Sequence, residues 1–186
     1  KPFVSMPVMF WNDPEGRKYR GAYFEKFPNV WAHGDFAEWT QHDGIIIHGR
    51  SDATLNPAGV RIGTAEIYRA IDKIPEIRDS LIVNLERPDG SDWMPLFVTL
   101  APGEVLNEAL KTRICKALRT EYSPRHVPDE ILEVPDIPYT ISGKKMETPV
   151  KKVLQRKSPD KAYNRDSMRN PEAMAYFIAL AGQRTF

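Results

Sequence analysis

The sequence predicts an α+β fold in which helices pack on a small sheet, preceded by a segment that contains a β-hairpin. Hydrophobic periodicity between residues 64 and 122 follows the order helix, strand, strand, helix. Further upstream, two strand-like runs flank a turn at residues 42–44. The chain has 186 residues, of which 41% are hydrophobic, so it is long and apolar enough to bury a domain core.

The predicted elements before residue 64 are one helix and one hairpin. KYRGAYFEKF at residues 18–27 predicts a short helix, because Tyr19, Tyr23 and Phe27 recur at every fourth position. The runs on either side of the His-Asp-Gly turn predict two antiparallel strands. The glycine after the aspartate suits this turn, because glycine enters positive φ freely.

The central elements are a helix, two strands and a second helix. Thr64 is predicted to cap the first helix and Pro75 to end it. Apolar runs at residues 79–86 and 95–100 predict the strands, and residues 106–122 predict an amphipathic helix.

The last third of the chain contains a loop and two helix starts. The loop, YTISGKK, spans residues 139–145. Thr148-Pro149 and Asn170-Pro171 each place a capping residue before a proline at the first helical position, which predicts a helix start at both places. The terminal helix carries an apolar stripe and is predicted to end near Gly182.

The composition argues against several classes of function. Lys and Arg number 26 against 25 Asp and Glu, so a net charge of +1 attracts neither nucleic acid nor a membrane surface. No apolar run reaches 18 residues and Cys115 is the single cysteine, which together predict a cytoplasmic location. The four histidines lack metal-ligand spacing, so no metal site is expected. The start at Lys1, without a methionine, suggests the downstream part of a longer protein.

Three motifs follow one another along the chain. They are WAHGD at residues 31–35, GRSD at residues 49–52 with a glycine-rich loop after it, and PYTISGK at residues 138–144. Each is weak alone, but the set in this order resembles the adenylate-forming superfamily of acyl-CoA synthetases, luciferases and adenylation domains. The resemblance covers nearly the whole chain. SMPVMFWNDPEG and a tail opening NPEAM are most similar to the branch that activates acetoacetate.

This resemblance implies an AMP-forming acid-thiol ligase that makes an acyl-AMP from a carboxylate and ATP and passes the acyl group to CoA. The substrate is expected to be acetoacetate, which implies a place in ketone-body and lipid metabolism, with acetate or propionate as alternatives. ATP, Mg²⁺ and CoA would bind mostly to a large N-terminal domain, the expected partner of this chain. Because its phosphate loop and acyl pocket do not occur in these residues, the isolated chain is expected to be inactive.

The resemblance also divides the chain into three parts. Residues 1–51 resemble the end of the large N-terminal domain, residues 52–157 the mobile C-terminal domain, and residues 158–186 a C-terminal extension. Asp52 is implied as the hinge, since the family rotates its small domain between the two half-reactions and a turn residue can absorb the change in φ and ψ.

Nucleotide and CoA binding are implied for residues near this hinge. Asp35 would accept hydrogen bonds from both ribose hydroxyls, with Arg50 as a further ribose contact and as the partner of Asp35 in the empty enzyme. After rotation Gly59 would leave room for the pantetheine arm of CoA. Arg61 would reach a nucleotide phosphate and border the CoA site, and Arg119 would meet the 3′-phosphate of CoA.

The resemblance assigns Lys144 to catalysis of the first half-reaction. An ammonium between carboxylate and ATP stabilises the negative charge that builds on the α-phosphate. The following residue is Lys145, where the family usually has an apolar one, so the choice between the two lysines stays open.

Simpler interpretations exist for each candidate. Asp35 would merely form a turn, Arg50 and Asp52 a surface ion pair, and the two lysines a solvated pair before a helix. Two rival functions are a basic module that holds RNA or protein through residues 151–157, and a terminal helix that builds an oligomer. Neither rival explains the order of the three motifs.

Overall fold

The computed structural model describes residues 4–184. By its internal contacts the chain divides into two compact units, Lys1–Gly34 and Asp35–Phe186. This division concerns compactness and not movement, so the domain boundary at residue 52 stays a prediction. Residues 185–186 of the predicted extension lie outside the described residues.

The first unit contains one short helix, α1, at Arg17–Tyr23. The sequence predicted a helix that continues to residue 27. The helix instead ends at Tyr23, whose ring stacks on Trp31 with 3.8 Å between centroids. Because the Ala32 N–H donates to the Tyr23 carbonyl at 2.8 Å, the chain folds back against the helix end.

The second unit begins with the predicted hairpin. Strand β1 spans Asp35–Trp39 and pairs antiparallel with β2 at Ile45–Arg50. The register places Asp35 directly across from Arg50. In the turn, positive φ falls at Asp43 (57°) and not at the glycine after it, which corrects the residue but confirms the hairpin.

A three-stranded sheet with two helices forms the centre of the second unit. Its strands are β3 (Ile77–Ile82), β6 (Pro95–Leu100) and β7 (Glu130–Glu133). They lie in the order β3-β6-β7, with β6 antiparallel to β3 and parallel to β7. In chain order the elements are α2 Thr64–Ile71, β3 Ile77–Ile82, β4 Leu85–Glu86, β5 Asp92–Trp93, β6 Pro95–Leu100, α3 Glu108–Glu121 and β7 Glu130–Glu133.

Three predictions in this region were wrong in detail. Helix α2 was predicted to end at Pro75 but ends earlier, at Ile71. The single strand predicted over residues 79–86 is two strands, because β4 leaves the sheet and pairs with β5 in a separate ribbon. Thr64 is the first helical residue and not the cap. Gly63 occupies the cap position, and its N–H donates to the Glu66 carboxylate at 3.2 Å.

The sheet is covered on both faces, which gives a three-layer arrangement. Successive residues of the central strand β6 point to opposite sides, with Leu96 and Val98 in the core under α2 and α3. Phe97 points to the other core, where it meets Phe177 edge-to-face with 4.9 Å between centroids. A strand buried on both faces carries a continuous apolar run, as β6 does.

Three further helices complete the second core: α4 Glu147–Leu154, α5 Pro159–Ala162 and α6 Met174–Gln183. The Thr148-Pro149 prediction holds in part, because a helix forms here, but α4 begins at Glu147 and both residues lie in its first turn. The Asn170-Pro171 prediction holds in part, because a 3₁₀ turn at Pro171–Ala173 precedes α6 and the Asn170 side chain does not cap it. The apolar stripe of α6 is buried in the protein's own core.

Candidate functional site

The end of the hairpin brings three predicted site residues together. Asp35 opens β1 opposite Arg50, the last residue of β2. The Arg50 guanidinium donates from Nε to the Asp52 carboxylate at 3.1 Å, and both side chains are about half exposed. Because the chain turns at once, with the Ala53 N–H donating to the Arg50 carbonyl at 3.1 Å, the predicted hinge lies in an exposed turn next to the predicted ribose residues.

The glycine-rich loop closes through a β-bridge between Leu55 and Ile62, whose side chains are fully buried. At the tip Ala58 and Gly59 both have positive φ, 49° and 81°. A Cβ atom built on Gly59 would meet nothing within 4 Å, so the tip faces open space. Arg61, on the returning limb, is exposed.

Two residues that the sequence analysis missed hold this loop. The Asn84 amide accepts a hydrogen bond from the Asn56 N–H at 2.9 Å and donates to Asp92 at 3.0 Å. The second Asp92 oxygen accepts from the Ala58 N–H at 2.7 Å. The available signal was an asparagine inside the apolar run of residues 81–85, where a buried amide needs hydrogen-bond partners.

The hairpin is seated closely against the start of α2. A Cβ on Gly63 would lie 2.3 Å from the His48 carbonyl oxygen, so only glycine fits there. Glu66 lies between two histidines, with His48 Nδ1 at 3.3 Å from one oxygen and His126 Nε2 at 3.0 Å from the other. This His48-Glu66-His126 contact joins β2, α2 and the 3₁₀ turn at Pro124–His126.

The lysine loop is a tight turn closed by Thr140. Its hydroxyl accepts a hydrogen bond from the Lys144 N–H at 3.0 Å, and its own N–H donates to the Lys144 carbonyl at 2.9 Å. Gly143 has a φ of 78°, a conformation that glycine adopts without strain. The Lys144 side chain is exposed at this turn, and no hydrogen bond or ion pair among residues 4–184 involves its ammonium.

The adjacent lysine has the opposite environment. The Lys145 ammonium lies 2.8 Å from Asp79 and donates to the Ser80 carbonyl at 2.6 Å. It also lies over the Tyr68 ring, 4.0 Å from the centroid, and only 19% of its side chain is exposed. Of the two lysines left open by the sequence, one is exposed and the other is held inside the domain.

Titratable groups beneath the loop have shifted pKa values. Burial raises the pKa of Tyr68, and the nearby charge of Glu147 raises it further. Burial likewise raises the pKa of Glu147, and the charge of Asp52 acts in the same direction. The Tyr68 hydroxyl donates to the Glu147 carboxylate at 3.0 Å. A proton therefore stays on this pair more readily than it would in water.

The other candidates are dispersed. Arg119 is exposed in the last turn of α3, where its charge opposes the burial that raises the pKa of Cys115. No hydrogen bond or ion pair of the described residues joins the Lys144 side chain to Gly59, Arg61, Arg119 or the hairpin end.

Within residues 4–184, no three His, Cys, Asp or Glu side chains form a group that would hold a metal ion. No helix in this range is long and apolar enough to cross a membrane.

Solved structures and curated sequences show which proteins this chain is similar to. No protein-family model matches the chain. An acyl-CoA synthetase from Brucella canis superposes on 68% of the chain with a TM-score of 0.52 and 26% identity. The anthranilate CoA ligase AuaEII, at 22% identity, shares the fold over 74% of it with a TM-score of 0.63. The structural neighbours are adenylate-forming acyl-CoA synthetases, as the three motifs predicted.

Within this class the close homologues are acetoacetyl-CoA synthetases. The protein from Rhizobium meliloti is 53% identical over 97% of the chain, and that from Gallus gallus is 46% identical over 100%. The structure of acetoacetyl-CoA synthetase from Streptomyces lividans matches 99% of the chain with a TM-score of 0.91 and 49% identity. The chain spans about a quarter of the length of these relatives, 27% or 28%, and matches their C-terminal part.

Proposed function

We propose that this chain is the C-terminal part of an AMP-forming ligase that activates acetoacetate as acyl-AMP and transfers it to CoA. The observation that carries the proposal is the exposed Lys144 on a turn whose neighbouring residues are fixed, in a chain homologous to acetoacetyl-CoA synthetases. Acetate and propionate are not favoured as substrates, because the close relatives carry the acetoacetyl name.

In the first half-reaction the carboxylate attacks the α-phosphate of ATP. The Lys144 ammonium, brought to the cleft by the small domain, would lie beside the phosphate oxygens that gain negative charge. Since its ammonium has no partner within the described part of the chain, no existing ion pair has to break before it binds. A preorganised cation of this kind stabilises the transition state more than the ground state.

The hairpin end would hold the nucleoside. Asp35 would accept hydrogen bonds from the ribose hydroxyls, and the Arg50 guanidinium opposite it would contribute a second ribose contact. Mg²⁺ would be bound with the ATP phosphates, mostly by the N-terminal domain, and would offset the negative charge of the phosphates.

In the second half-reaction the small domain would present another face. Rotation at Asp52 would bring the glycine-rich loop to the cleft, where the open space around Gly59 would admit the pantetheine arm. Arg61 and Arg119 are exposed and would bind phosphates of the nucleotide and of CoA.

The lone cysteine fits a reducing compartment such as the cytoplasm.

The substrate assignment is tested by assaying the full-length protein with ATP, Mg²⁺, CoA and each of three acids. We expect AMP, pyrophosphate and a CoA thioester, with kcat/KM higher for acetoacetate than for acetate or propionate. A preference for acetate or propionate would contradict the assignment. The 186-residue chain alone is expected to release no pyrophosphate, and steady release would contradict its dependence on an N-terminal domain.

A further inference from the structure

The two ends of the lysine loop meet at a single carboxylate outside the loop. Tyr139 and Lys145 face each other across a β-bridge at the base of the turn. One oxygen of Asp79 accepts a hydrogen bond from the Tyr139 hydroxyl at 2.8 Å, and the other lies 2.8 Å from the Lys145 ammonium. Asp79 therefore holds both strands of the loop base at once.

The position of Asp79 depends on an irregularity in β3. The register of β3 against β6 shifts between Ile77 and Asp79, and such a shift re-aims the following side chain. Only 23% of the Asp79 side chain is exposed, so water competes weakly for its two contacts. Burial and the hydrogen bond to Asp79 raise the pKa of Tyr139, which keeps its hydroxyl protonated as a donor.

A second support comes from the C-terminal extension. Residues 167–170 run alongside the first strand of the loop, with the Ile141 N–H donating to the Ser167 carbonyl at 2.9 Å. The Arg169 N–H donates to the Tyr139 carbonyl, also at 2.9 Å. The Arg169 guanidinium lies over the Tyr139 ring, 4.5 Å from its centroid.

Asn170 is the side chain that fixes this pairing. Its amide oxygen accepts a hydrogen bond from the Tyr139 N–H at 2.9 Å, and its NH₂ group donates to the Ile137 carbonyl at 2.8 Å. The same NH₂ group donates to the Asp136 carboxylate at 2.5 Å. Asn170 thus uses both ends of its amide on the chain segment that enters the loop.

We propose that Asp79 and Asn170 are positioning residues for adenylation, which hold the loop base so that Lys144 is presented at a fixed place. The inference rests on the proposed role of Lys144. It gives the C-terminal extension a task in the reaction, as the second wall of the lysine loop. It also explains Lys145, which serves as the ammonium partner of Asp79.

The magnitude follows from the geometry of electrostatic stabilisation. A displacement of about 1 Å in a reacting or stabilising group costs on the order of 10²-fold in rate. Asp79→Asn presents one NH₂ group and one oxygen where two acceptors are needed, so it loses at least one of its two contacts. Asn170→Ala leaves the Tyr139 N–H and the Ile137 carbonyl without their partner.

The experiment measures the two half-reactions separately in the full-length protein. Adenylation is followed by ATP–pyrophosphate exchange, and thioester formation by adding prepared acyl-AMP and CoA. We expect Asp79→Asn and Asn170→Ala to lower the exchange kcat by about 10-fold to 100-fold, within the range for a misplaced group. KM for ATP and the thioester rate should stay within about twofold of the unmodified protein, as for an interaction made only in the transition state.

Matched controls separate positioning from folding. Glu76→Gln removes a carboxylate of similar exposure, 24%, that pairs with Arg113 just before β3. Asn107→Ala removes an amide that accepts the Leu110 N–H at 2.9 Å at the start of α3. Both should leave the ratio of the two half-reactions unchanged. If Asp79→Asn fails to fold, Lys145→Met keeps an unbranched side chain, removes the ammonium that contacts Asp79 and Ser80, and should give the same selective loss.

Lys144→Ala, assayed in parallel, distinguishes the two levels of the account. If it retains full exchange activity, the proposed role of Lys144 is wrong. If it loses exchange while Asp79→Asn, Asn170→Ala and Lys145→Met exchange within twofold of the unmodified protein, only the positioning inference is overturned. An equal loss in both half-reactions would likewise overturn it, because that is the result expected from a general structural defect and not from misplacement of Lys144.

Discussion

At the scale of single residues, the two consecutive lysines of the loop have different surroundings. Lys144 projects from the turn into solvent, whereas Lys145 is held by Asp79 and lies over Tyr68. The letters SGKK predict a cationic loop but not this distinction, because Asp79 comes from β3, far away in the sequence. Contacts between distant segments decide which lysine is available.

A pH experiment tests the environment beneath the loop. Burial raises the pKa of Glu147 above its ordinary value of 4.5. A carboxyl with a raised folded-state pKa adds stability below its unfolded pKa and loses it as pH rises through the folded pKa. Glu147→Gln keeps an oxygen for the Tyr68 hydroxyl without a charge. We expect the Tm of the variant, relative to the Tm of the unmodified protein, to increase as pH rises from acid to neutral.

Glu76→Gln is the control of opposite sign. The hydrogen bond from Arg113 lowers the pKa of Glu76, so its contribution is present above the unfolded pKa and is lost as pH falls through the folded one. Its Tm deficit should appear near neutral pH and shrink in acid. The interpretation of Glu147 would be contradicted by a Tm difference between Glu147→Gln and the unmodified protein that is constant across this pH range.

At the scale of elements, the terminal helix belongs to the core. Phe177 of α6 is fully buried against Phe97 of β6, whereas its neighbour Ile178 is 40% exposed. The apolar stripe of α6 packs into the second core of the same chain. This packing removes the reason to expect an oligomer built through that stripe.

Phe177→Ala tests how far the domain depends on this helix. Truncating a buried phenylalanine costs about 3 to 5 kcal/mol in transfer free energy and cavity formation. Ile178→Ala, at a half-exposed position of the same helix, should cost less than about 1.5 kcal/mol, because only part of the isoleucine side chain is buried in the folded protein. Chemical denaturation measures both values. A similar loss of unfolding free energy for the two variants would contradict the packing described for α6.

Most elements follow from sequence pattern, and the exceptions have physical reasons. The hairpin, α2, β6 and α3 form where hydrophobic periodicity predicts them. Helices α2 and α4 begin one and two residues earlier than predicted, because helix ends fray and a sequence signal fixes them only to within one or two residues. The break after β3 was missed, since the buried Asn84 makes its hydrogen bonds to residues 56 and 92.

The candidate site was predictable only in part. The three motifs predict roles for Asp35, Asp52 and Lys144 through their resemblance to the family, and these roles stay predictions. Asp79 carries no local signal, and the local signal at Asn170 predicted a helix cap and not the contacts that its amide makes. Both residues contact Tyr139 from distant parts of the chain. Asp79 is 60 residues away from it in the sequence, and Asn170 is 31 residues away.

At the scale of the whole molecule, the proposed function requires the chain to take up two arrangements about Asp52. In the arrangement described here β2 lies against α2, with Gly63 under His48 and Glu66 between two histidines. A large rotation at residue 52 would separate these groups. The contact is thus expected to form in one half-reaction and to open in the other.

Asp52→Pro tests this requirement in the full-length protein. Proline fixes φ near −65°, so the turn would lose the freedom that rotation needs. We expect one half-reaction to continue and the other to fall by 10-fold or more, on the order of a lost conformational step. Asp52→Ala removes the carboxylate near Arg50 but leaves the backbone free, and it should affect both half-reactions alike. If the proline variant changes the rates of both half-reactions by the same factor relative to the unmodified protein, a hinge at residue 52 is contradicted.

The most direct measurement is ATP–pyrophosphate exchange by the Lys144→Ala variant of the full-length protein, with thioester formation from prepared acyl-AMP followed in the same preparation. We expect exchange to fall by about 10²- to 10³-fold, the usual effect of removing a preorganised charge-stabilising donor. Thioester formation should proceed at the rate of the unmodified protein. Exchange at an undiminished rate, or an equal loss of both activities, would contradict the assignment of Lys144 to the first half-reaction.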